Sequence, residues 1–196
     1  MSTLILCGSD VRKLLEMSAV IEVVEQAFKD LGRGKAQMPT KAYLVLEQGD
    51  FRAMPAALPG AVGVKWVNVH TQNPSLGLPT VMATLIYSDP DTGYPLAVMD
   101  ATEITAYRTG AASAIASRYL ARKDARTLGI IGAGRQAYTQ LMAIAELFDL
   151  KTINIYDIME SAAQKFVGAF PGHPIRVCSS VKEAADADIV LSLIHI

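Results

Sequence analysis

The chain has 196 residues, of which 51% are hydrophobic, and a net charge of −1, so it can form one large or two small domains with a real core. The near-neutral charge gives no electrostatic reason to expect nucleic-acid binding, and no apolar run approaches the roughly 20 residues that span a bilayer. Because Cys7 and Cys178 are isolated and the first residues lack the features of a signal peptide, we expect a cytoplasmic protein without a metal site.

The first part of the chain is predicted to contain a short strand followed by two helices. Met1–Cys7 reads as the strand and Asp10–Glu16 as a short helix. Ser18 is expected to cap a longer helix, which ends at two glycines and whose apolar positions recur at helical spacing: Ile21, Val24, Phe28 and Leu31. These residues predict packing and not chemistry.

Several strands joined by hairpins follow. Residues 48–50 (QGD) are predicted to form a turn. The sequence also has a strong turn signal at residues 89–93 (DPDTG) and a Gly/Pro loop at 73–79. The predicted strands are Lys41–Glu47, Phe51–Ala56, Ala61–His70, Thr80–Ser88 and Pro95–Met99. We therefore expect a mixed or largely antiparallel sheet, with the early helices on one side.

Lys65 lies in the middle of the strand with the strongest β pattern, AVGVKWVNVH. Both faces of that strand are apolar, which predicts burial on both sides. A lysine in such a place is rarely buried without a partner, and desolvation would lower its pKa and suit it to proton transfer near neutral pH. A lysine that reaches the surface or forms a structural ion pair is an equally good interpretation at this point.

Arg108 belongs to an alanine-rich helix predicted over Thr102–Arg122. It falls on the stripe formed by Ile104, Ala111, Ile115 and Tyr119, which is expected to be buried. The residues that follow it, 110–113 (GAAS), are small and allow close approach. A guanidinium there would hold a carboxylate or phosphate of a ligand, or would pair structurally with an acid of another domain.

The stretch TLGIIGAGRQA, residues 127–137, predicts a dinucleotide-binding turn. Gly132 allows the tight turn, Gly134 lets a pyrophosphate approach the backbone, and Ala137 lets the helix pack on the strand. Ala133, Arg135 and Gln136 complete the turn at the positive end of the helix dipole. A strand–helix turn without a ligand is the alternative.

Asp157 ends the next predicted strand, TINIYD, at about the expected distance of roughly 20 residues from the turn. A carboxylate there accepts a hydrogen bond from the adenosine ribose 2′-OH and repels a 2′-phosphate, which favours NAD over NADP. Arg135 lies nearby and could tolerate a phosphate. We assign Asp157 and the next residue, Ile158, to the predicted cofactor site.

The polar stretch RKDAR, residues 122–126, predicts a domain boundary. We expect an N-terminal mixed α/β domain over residues 1–124 and a Rossmann domain over 125–196, because strands and helices alternate in the second part as in parallel βαβ units. The predicted elements there are strand 127–132, helix 135–148, strand 152–157, helix 160–170, strand 175–178, helix 181–185 and strand 188–194. A complete doubly wound unit has six strands, so we expect a chain truncated after the fourth.

Motifs spread along the chain resemble the ornithine cyclodeaminase/mu-crystallin family, and within it the archaeal-type alanine dehydrogenase branch. The combination of these motifs is more specific than the dinucleotide turn alone. The matching stretches are GKAQMPTKAYL (34–44), FRAMPA (51–56), GVKWVNVH (63–70), GLPTVMA (77–83), TGYPLAVMDAT (92–102), RTGAAS (108–113) and GIIGAGRQA (129–137).

The resemblance implies a fold and a set of site residues. It implies an N-terminal domain that binds substrate and dimerises, giving a homodimer, and a Rossmann domain that binds NAD. Arg52 matches an arginine that binds the substrate carboxylate, and Lys41 matches a lysine that faces the substrate. Lys65 matches the active-site lysine, and Arg108 matches an arginine near the cofactor pyrophosphate and the substrate. The family's catalytic aspartate follows a fifth strand, so no residue here takes that role.

The activity implied is NAD-dependent oxidative deamination of a small L-amino acid, with L-alanine giving pyruvate and ammonia. Two alternatives remain open. Ornithine cyclodeaminase chemistry would need an acid for the substrate's second amine, for which Glu47 and Glu103 are candidates. A non-catalytic NAD(P)H-binding protein of the mu-crystallin type is the other.

Overall fold

A computed structural model describes residues 2–194, which form two compact units. One unit contains the described residues up to Glu16 together with Glu22–Thr105, and the other contains Met17–Ile21 and the described residues from Ala106 onward. The division falls inside two helices, Met17–Gly32 and Thr102–Leu120, so each unit holds part of both. The predicted domain boundary between residues 124 and 125 stays a prediction.

The first unit is built on a mixed six-stranded sheet in the order β1-β6-β5-β4-β3-β2. The β1–β6 pair is parallel and the other described pairs of this sheet are antiparallel, so the predicted mixed sheet is confirmed. The strands are β1 (Leu4–Leu6), β2 (Ala42–Leu46), β3 (Gly49–Leu58), β4 (Ala61–Val69), β5 (Val81–Ser88) and β6 (Pro95–Asp100). The helices are α1 (Gly8–Leu14), the part of α2 (Met17–Gly32) from Glu22 onward, and a 3-10 turn at Asn73–Leu76.

Helix α2 begins earlier than predicted. Its N-cap residue is Glu16, so Ser18 lies inside the helix and the prediction that Ser18 caps it is wrong. Within the predicted apolar stripe, Ile21 is buried but Phe28 and Leu31 are exposed. The pattern identified the helix correctly, but spacing along a helix does not determine which of its apolar positions other elements cover.

The β2–β3 hairpin has a tighter turn than the sequence suggested. Glu47 and Gln48 form the turn, while Gly49 and Asp50 already belong to β3. A Cβ atom on Gly49 would lie 2.3 Å from the Val69 carbonyl oxygen of β4, so only glycine allows this close approach. The predicted turn at residues 48–50 is therefore wrong by about one residue, and Asp50 is a strand residue.

Strand β4 is not buried on both sides, in contrast to the prediction. Val67 is buried in a core cluster with Ala83 and Ala101, on the same face as Lys65. On the opposite face Trp66 stacks on Phe51 with ring centroids 5.3 Å apart and remains 42% exposed. Apolar residues on both faces predicted two-sided burial, but the described part of this unit covers one face only partly.

Helix α3 (Thr102–Leu120) is attached to the sheet at its first turn. The Ala101 N–H donates to the Ala83 carbonyl oxygen at 2.8 Å, and the Ala83 N–H donates to Thr102 Oγ1 at 3.2 Å. Asp100 Oδ1 accepts the Thr102 N–H at 2.9 Å. These bonds place the start of α3 against the face of the sheet that carries Lys65.

The second unit contains a four-stranded parallel sheet in the order β10-β7-β8-β9. This is the order 4-1-2-3 of a doubly wound unit, so the predicted parallel βαβ arrangement is confirmed. Its elements are β7 (Thr127–Ile131), α4 (Arg135–Leu147), β8 (Thr152–Tyr156), α5 (Glu160–Ala169), β9 (Ile175–Val177), α6 (Val181–Ala184) and β10 (Ile189–Ser192). No described helix is long and apolar enough to cross a membrane.

Helices α3 and α4 approach each other closely at Gly110. A Cβ atom added there would lie 2.3 Å from the Thr139 carbonyl oxygen. The small residues after Arg108 were expected to allow close approach of another group, and that group is the backbone of α4. Because α4 begins at the dinucleotide turn, Gly110 helps to determine where that turn lies.

We expect Gly110→Ala to lower the free energy of unfolding by about 1–3 kcal/mol, because overpacking a close contact forces the backbone to move. The same change raises intrinsic helix propensity by about 1 kcal/mol, so packing and propensity act in opposite directions. Gly168→Ala in α5 is the matched control, since a Cβ there meets no described atom within 4 Å. Denaturant titration of both variants should show destabilisation for Gly110→Ala only, and equal effects would contradict the packing argument.

Asp188 joins the starts of β7 and β10. Its Oδ2 accepts the N–H groups of Arg126 and Thr127 at 2.8 and 3.0 Å, and its Oδ1 pairs with Arg122. The pKa of Asp188 is held far below its ordinary value of 3.8. The hydrogen bond from the Arg126 N–H is the largest cause, and a hydrogen bond with Thr127 is the next largest. The ionised form is thus favoured in the folded protein.

A depressed pKa makes the contribution of Asp188 depend on pH in a defined direction. Its stabilisation is fully present above about pH 3.8 and is lost as the pH falls from there toward its folded-state pKa. We expect Asp188→Asn to lower the melting temperature at pH 7, and the gap from the wild type to shrink below about pH 4. Melting curves between pH 7 and 2.5 test this. A gap that stays constant with pH would show that the charge of Asp188 does not matter.

Candidate functional site

The predicted dinucleotide turn forms between β7 and α4. Gly132 has φ +102°, a conformation that residues with side chains rarely adopt, and its N–H donates to the Tyr156 carbonyl oxygen at 2.7 Å. Ala137 is completely buried where α4 packs on the sheet. The roles predicted for Gly132 as the tight turn and Ala137 as the packing residue therefore correspond to what the backbone requires.

Gly134 is the N-cap residue of α4, and no side chain caps that end of the helix. A Cβ atom on Gly134 would meet no atom of residues 2–194 within 4 Å, so these residues leave the space above Gly134 open. The fold itself therefore does not require glycine here. An open position at an uncapped helix N-terminus suits an anion such as a pyrophosphate.

Asp157 follows β8 directly and binds the turn. Its Oδ2 accepts the Ala133 N–H at 2.7 Å, and its Oδ1 accepts the Met159 N–H at 2.8 Å. A carboxylate offers about four acceptor sites, so these two bonds leave capacity for a ribose hydroxyl. The side chain of the next residue, Ile158, is 90% exposed.

Two glutamines of α4 carry buried acceptors without partners. Gln136 Oε1 and Gln140 Oε1 are both inaccessible to solvent, and no described group donates to them. An unsatisfied buried acceptor costs about 1–3 kcal/mol. Gln136 lies in the first turn of α4, so a donor from a bound cofactor would relieve part of this cost. Gln140 was not identified from the sequence, because its spacing reads as ordinary helix.

Arg108 is exposed, which corrects the prediction that it lies on a buried stripe of α3. On the same stripe, Ala111 and Ile115 are buried but Tyr119 is 63% exposed. Nearby protein atoms desolvate the guanidinium and lower the pKa of Arg108, yet an arginine remains charged in proteins. No described acid pairs with Arg108, so the alternative of a structural ion pair finds no support among these residues.

In the first unit, Arg52 lies on β3 and Lys65 on β4. Arg52 is opposite Val67 in the antiparallel register, and Met54 is opposite Lys65. Directly opposed residues point to the same face, so the two cations share one side of the sheet. Lys41 is exposed and precedes β2 by one residue; extending the β2–β3 register pairs it with Met54.

Lys65 is half-buried, and its Nζ donates to Thr105 Oγ1 at 3.4 Å. Thr105 is 7% exposed and lies on the part of α3 that is attached to the sheet. The lysine therefore does not extend freely into solvent, as one interpretation of the sequence allowed. Thr105 was not identified beforehand, because only the packing of α3 on the sheet brings it near Lys65.

Arg52 is held by two neighbours that sequence reasoning did not assign to the site. Asp50 accepts from Nε at 2.6 Å and from Nη2 at 2.9 Å. The Tyr43 ring lies 5.3 Å from Arg52 Cζ. The side-chain hydrogen bond between Asp50 and Arg52 is the largest cause of two shifts: it lowers the pKa of Asp50 and raises the pKa of Arg52. The D-x-R spacing on a strand is the available signal, but the residues 48–50 (QGD) predict a turn that includes Asp50.

Together, the parallel sheet, the G-x-G-x-x-A turn and the acid after the second strand define a Rossmann-type α/β protein. The sequence pattern of the ornithine cyclodeaminase/mu-crystallin family matches residues 1–194. The chain belongs to that family, which confirms the resemblance found in its motifs.

Named relatives of this family cover nearly the whole chain. An alanine dehydrogenase of Archaeoglobus fulgidus is 49% identical over 193 residues, which is 98% of this chain and 60% of the relative. An L-lysine cyclodeaminase of Streptomyces rapamycinicus is 35% identical over 208 residues, which is 98% of this chain and 61% of the relative. The chain thus spans about three-fifths of the length of these relatives.

Solved structures agree with the fold. An archaeal alanine dehydrogenase dimer with bound NAD has a TM-score of 0.95 at 49% identity, over 98% of this chain and 60% of that one. A Delta(1)-pyrroline-2-carboxylate reductase of Thermococcus litoralis, in complex with NADH and L-proline, has a TM-score of 0.94 at 43% identity, over 97% of this chain and 61% of that one. The predicted fold class is therefore confirmed.

Proposed function

We propose that the full-length protein catalyses NAD-dependent oxidative deamination of a small L-amino acid, with L-alanine as the first substrate to test. The observation that carries the proposal is the shared face of Arg52 and Lys65 on paired strands. It offers one group for a carboxylate and one for proton transfer. The 49% identity to an alanine dehydrogenase supports alanine as the amino acid.

The cofactor of this proposal is NAD, which the archaeal relative of known structure binds. The residues present fit it: Gly134 leaves open space, Gln136 has a buried acceptor without a described partner, and Asp157 has acceptor capacity for a ribose hydroxyl. We assign the cofactor to these three together with Gly132, Ala133, Arg135, Ile158 and Arg108. The carboxylate of Asp157 would repel a 2′-phosphate and so favours NAD over NADP.

In the proposed mechanism, Arg52 and Lys41 bind the substrate carboxylate, and Arg108 helps to orient the substrate. NAD, when bound, supplies the acceptor for the hydride that leaves the substrate Cα. Lys65 transfers protons as water adds to the resulting imine and ammonia leaves. The Thr105 hydroxyl lies 3.4 Å from Lys65 Nζ and limits where the amine of Lys65 can lie. The net products are pyruvate, ammonium, NADH and a proton.

Cyclodeamination is the main alternative, since an ornithine cyclodeaminase of Agrobacterium fabrum is 40% identical over 150 residues. That reaction needs an acid for the second amine of the substrate. Glu103 is engaged by Arg12 at 2.9 Å, and Glu47 is exposed in the β2–β3 turn. The two acids considered from the sequence therefore do not favour it.

We also propose that the protein is a homodimer, as the archaeal alanine dehydrogenase structure is a dimer. The sheet face opposite Lys65 is only partly covered among the described residues: Trp66 is 42% and Ile86 is 40% exposed. Exposed apolar groups of this kind are common at subunit interfaces. Light scattering of the full-length protein tests the assignment.

The function is tested by following NADH absorbance while the full-length protein is supplied with NAD and single amino acids. A rise with L-alanine supports the proposal, and a rise with L-proline alone would indicate cyclic-imine chemistry. Conversion of L-ornithine to proline without net NADH would establish cyclodeamination. NADH binding without turnover on any of these would favour a mu-crystallin-type binding protein.

A further inference from the structure

Asp50 contacts Arg52 along one particular edge of the guanidinium group. Its two carboxylate oxygens accept from Nε at 2.6 Å and from Nη2 at 2.9 Å. Both side chains are partly buried, with 29% of Arg52 and 23% of Asp50 exposed. A bidentate pair of this kind determines the orientation of the guanidinium plane as well as its position.

The contact with Asp50 leaves the end of the guanidinium, formed by Nη1 and Nη2, available to a ligand. An arginine has five N–H donors, and the contact with Asp50 uses one on Nε and one on Nη2. The remaining donors, on Nη1 and Nη2, form the end of the side chain. No described residue accepts a hydrogen bond from that end, so it can bind a second carboxylate in the same plane.

Two further features keep Arg52 in this orientation. The β2–β3 register pairs Tyr43 with Arg52, and the tyrosine ring lies 5.3 Å from Cζ, within the range of a cation–π contact. The close approach of Gly49 to the Val69 carbonyl oxygen places Asp50 in β3, two residues before Arg52. Side chains two residues apart on a strand point to the same face.

We propose that Asp50 is a positioning residue for substrate binding: it holds the Nε edge of Arg52 so that the opposite end receives the substrate carboxylate. This inference rests on the proposed function, in which Arg52 binds that carboxylate. One guanidinium then joins two carboxylates, that of the protein along one edge and that of the substrate at the end. A lysine at position 52 could not do this, because an ammonium lacks the planar fork.

The test is a double-mutant cycle on pyruvate binding to the complex of the full-length protein with NADH. Ammonia is left out, so no turnover by the proposed reaction occurs, and NADH fluorescence reports the dissociation constant. The variants are Asp50→Asn, Arg52→Ala and the double variant. Asp149→Asn is the matched control, since Asp149 forms an exposed ion pair with Arg126 in the other unit.

We expect Asp50→Asn to weaken pyruvate binding about tenfold, a change typical of losing a charge-assisted hydrogen bond. NADH affinity should stay within about twofold of the wild type, and Asp149→Asn should change neither constant. In the Arg52→Ala background, Asp50→Asn should have no further effect, because the effect of Asp50 passes through Arg52.

The outcomes separate the inference from the proposed function. Unchanged or tighter pyruvate binding in Asp50→Asn overturns the role of Asp50 alone, provided that Arg52→Ala weakens binding. An equal effect of Asp50→Asn with and without Arg52 also overturns it. Wild-type binding in Arg52→Ala, or no pyruvate binding by the wild type, overturns the proposed function and this inference with it.

Discussion

Lys65→Ala in the full-length protein is expected to reduce turnover by about 100- to 10,000-fold, the usual contribution of a positioned proton-transfer group. NAD binding should remain, because Lys65 lies on β4 and the cofactor residues we propose all lie in the other unit. Steady-state rates and titration of cofactor fluorescence measure the two effects separately.

Lys151→Ala is the control for this experiment. Lys151 is an exposed lysine whose Nζ lies 2.9 Å from Asp149, and surface pairs of this kind contribute little to stability. Its loss should leave turnover unchanged. Near-wild-type turnover in Lys65→Ala would show that this lysine does not act in proton transfer, while joint loss of turnover and NAD binding would indicate a structural role.

Gly134→Ala is expected to weaken NAD binding at least tenfold while leaving the fold intact, which separates cofactor binding from stability. A Cβ atom at this position meets none of the described residues within 4 Å, so we expect the cost to arise when a pyrophosphate approaches the backbone. A tenfold loss corresponds to about 1.4 kcal/mol. Calorimetric titration with NAD and the melting temperature give the two readouts.

Gly132→Ala provides the contrast, because this residue has φ +102°. A side chain there is strained whether or not a cofactor is bound, so this variant should lose thermal stability and NAD affinity together. If Gly134→Ala binds NAD as tightly as the wild type, the open space above the turn is not where the pyrophosphate binds.

Much of the fold was predictable because its patterns are local. The run TLGII, the glycines after it and the acid that ends TINIYD identified the strand–turn–helix–strand unit and its parallel sheet. The β-branched segments and turn signals of the first part likewise predicted an antiparallel arrangement with hairpins. These features depend on residues close together in the chain, so the sequence contains the information directly.

The candidate site was predictable residue by residue but not as a set of contacts. Lys65 and Arg52 were identified, whereas Asp50, Tyr43 and Thr105 were not. The sequence predicts a turn at Asp50, because the tight approach of Gly49 to β4 is not visible in it. Thr105 contacts Lys65 across a sequence separation of 40 residues, which only the packing of α3 on the sheet creates. The assigned roles of these residues and the cytoplasmic location stay predictions.

The sequence by itself determined the element types, the dinucleotide turn and the family, since each depends on local spacing and residue chemistry. Only the tertiary structure decided which apolar faces are covered. Arg108 and Trp66 were expected to be buried, and both are exposed. Periodicity shows that a face is apolar, but burial depends on whether another element packs against it. The same packing decides which polar groups meet, because hydrogen bonds such as that from Arg52 to Asp50 need the strand register and the side-chain direction together.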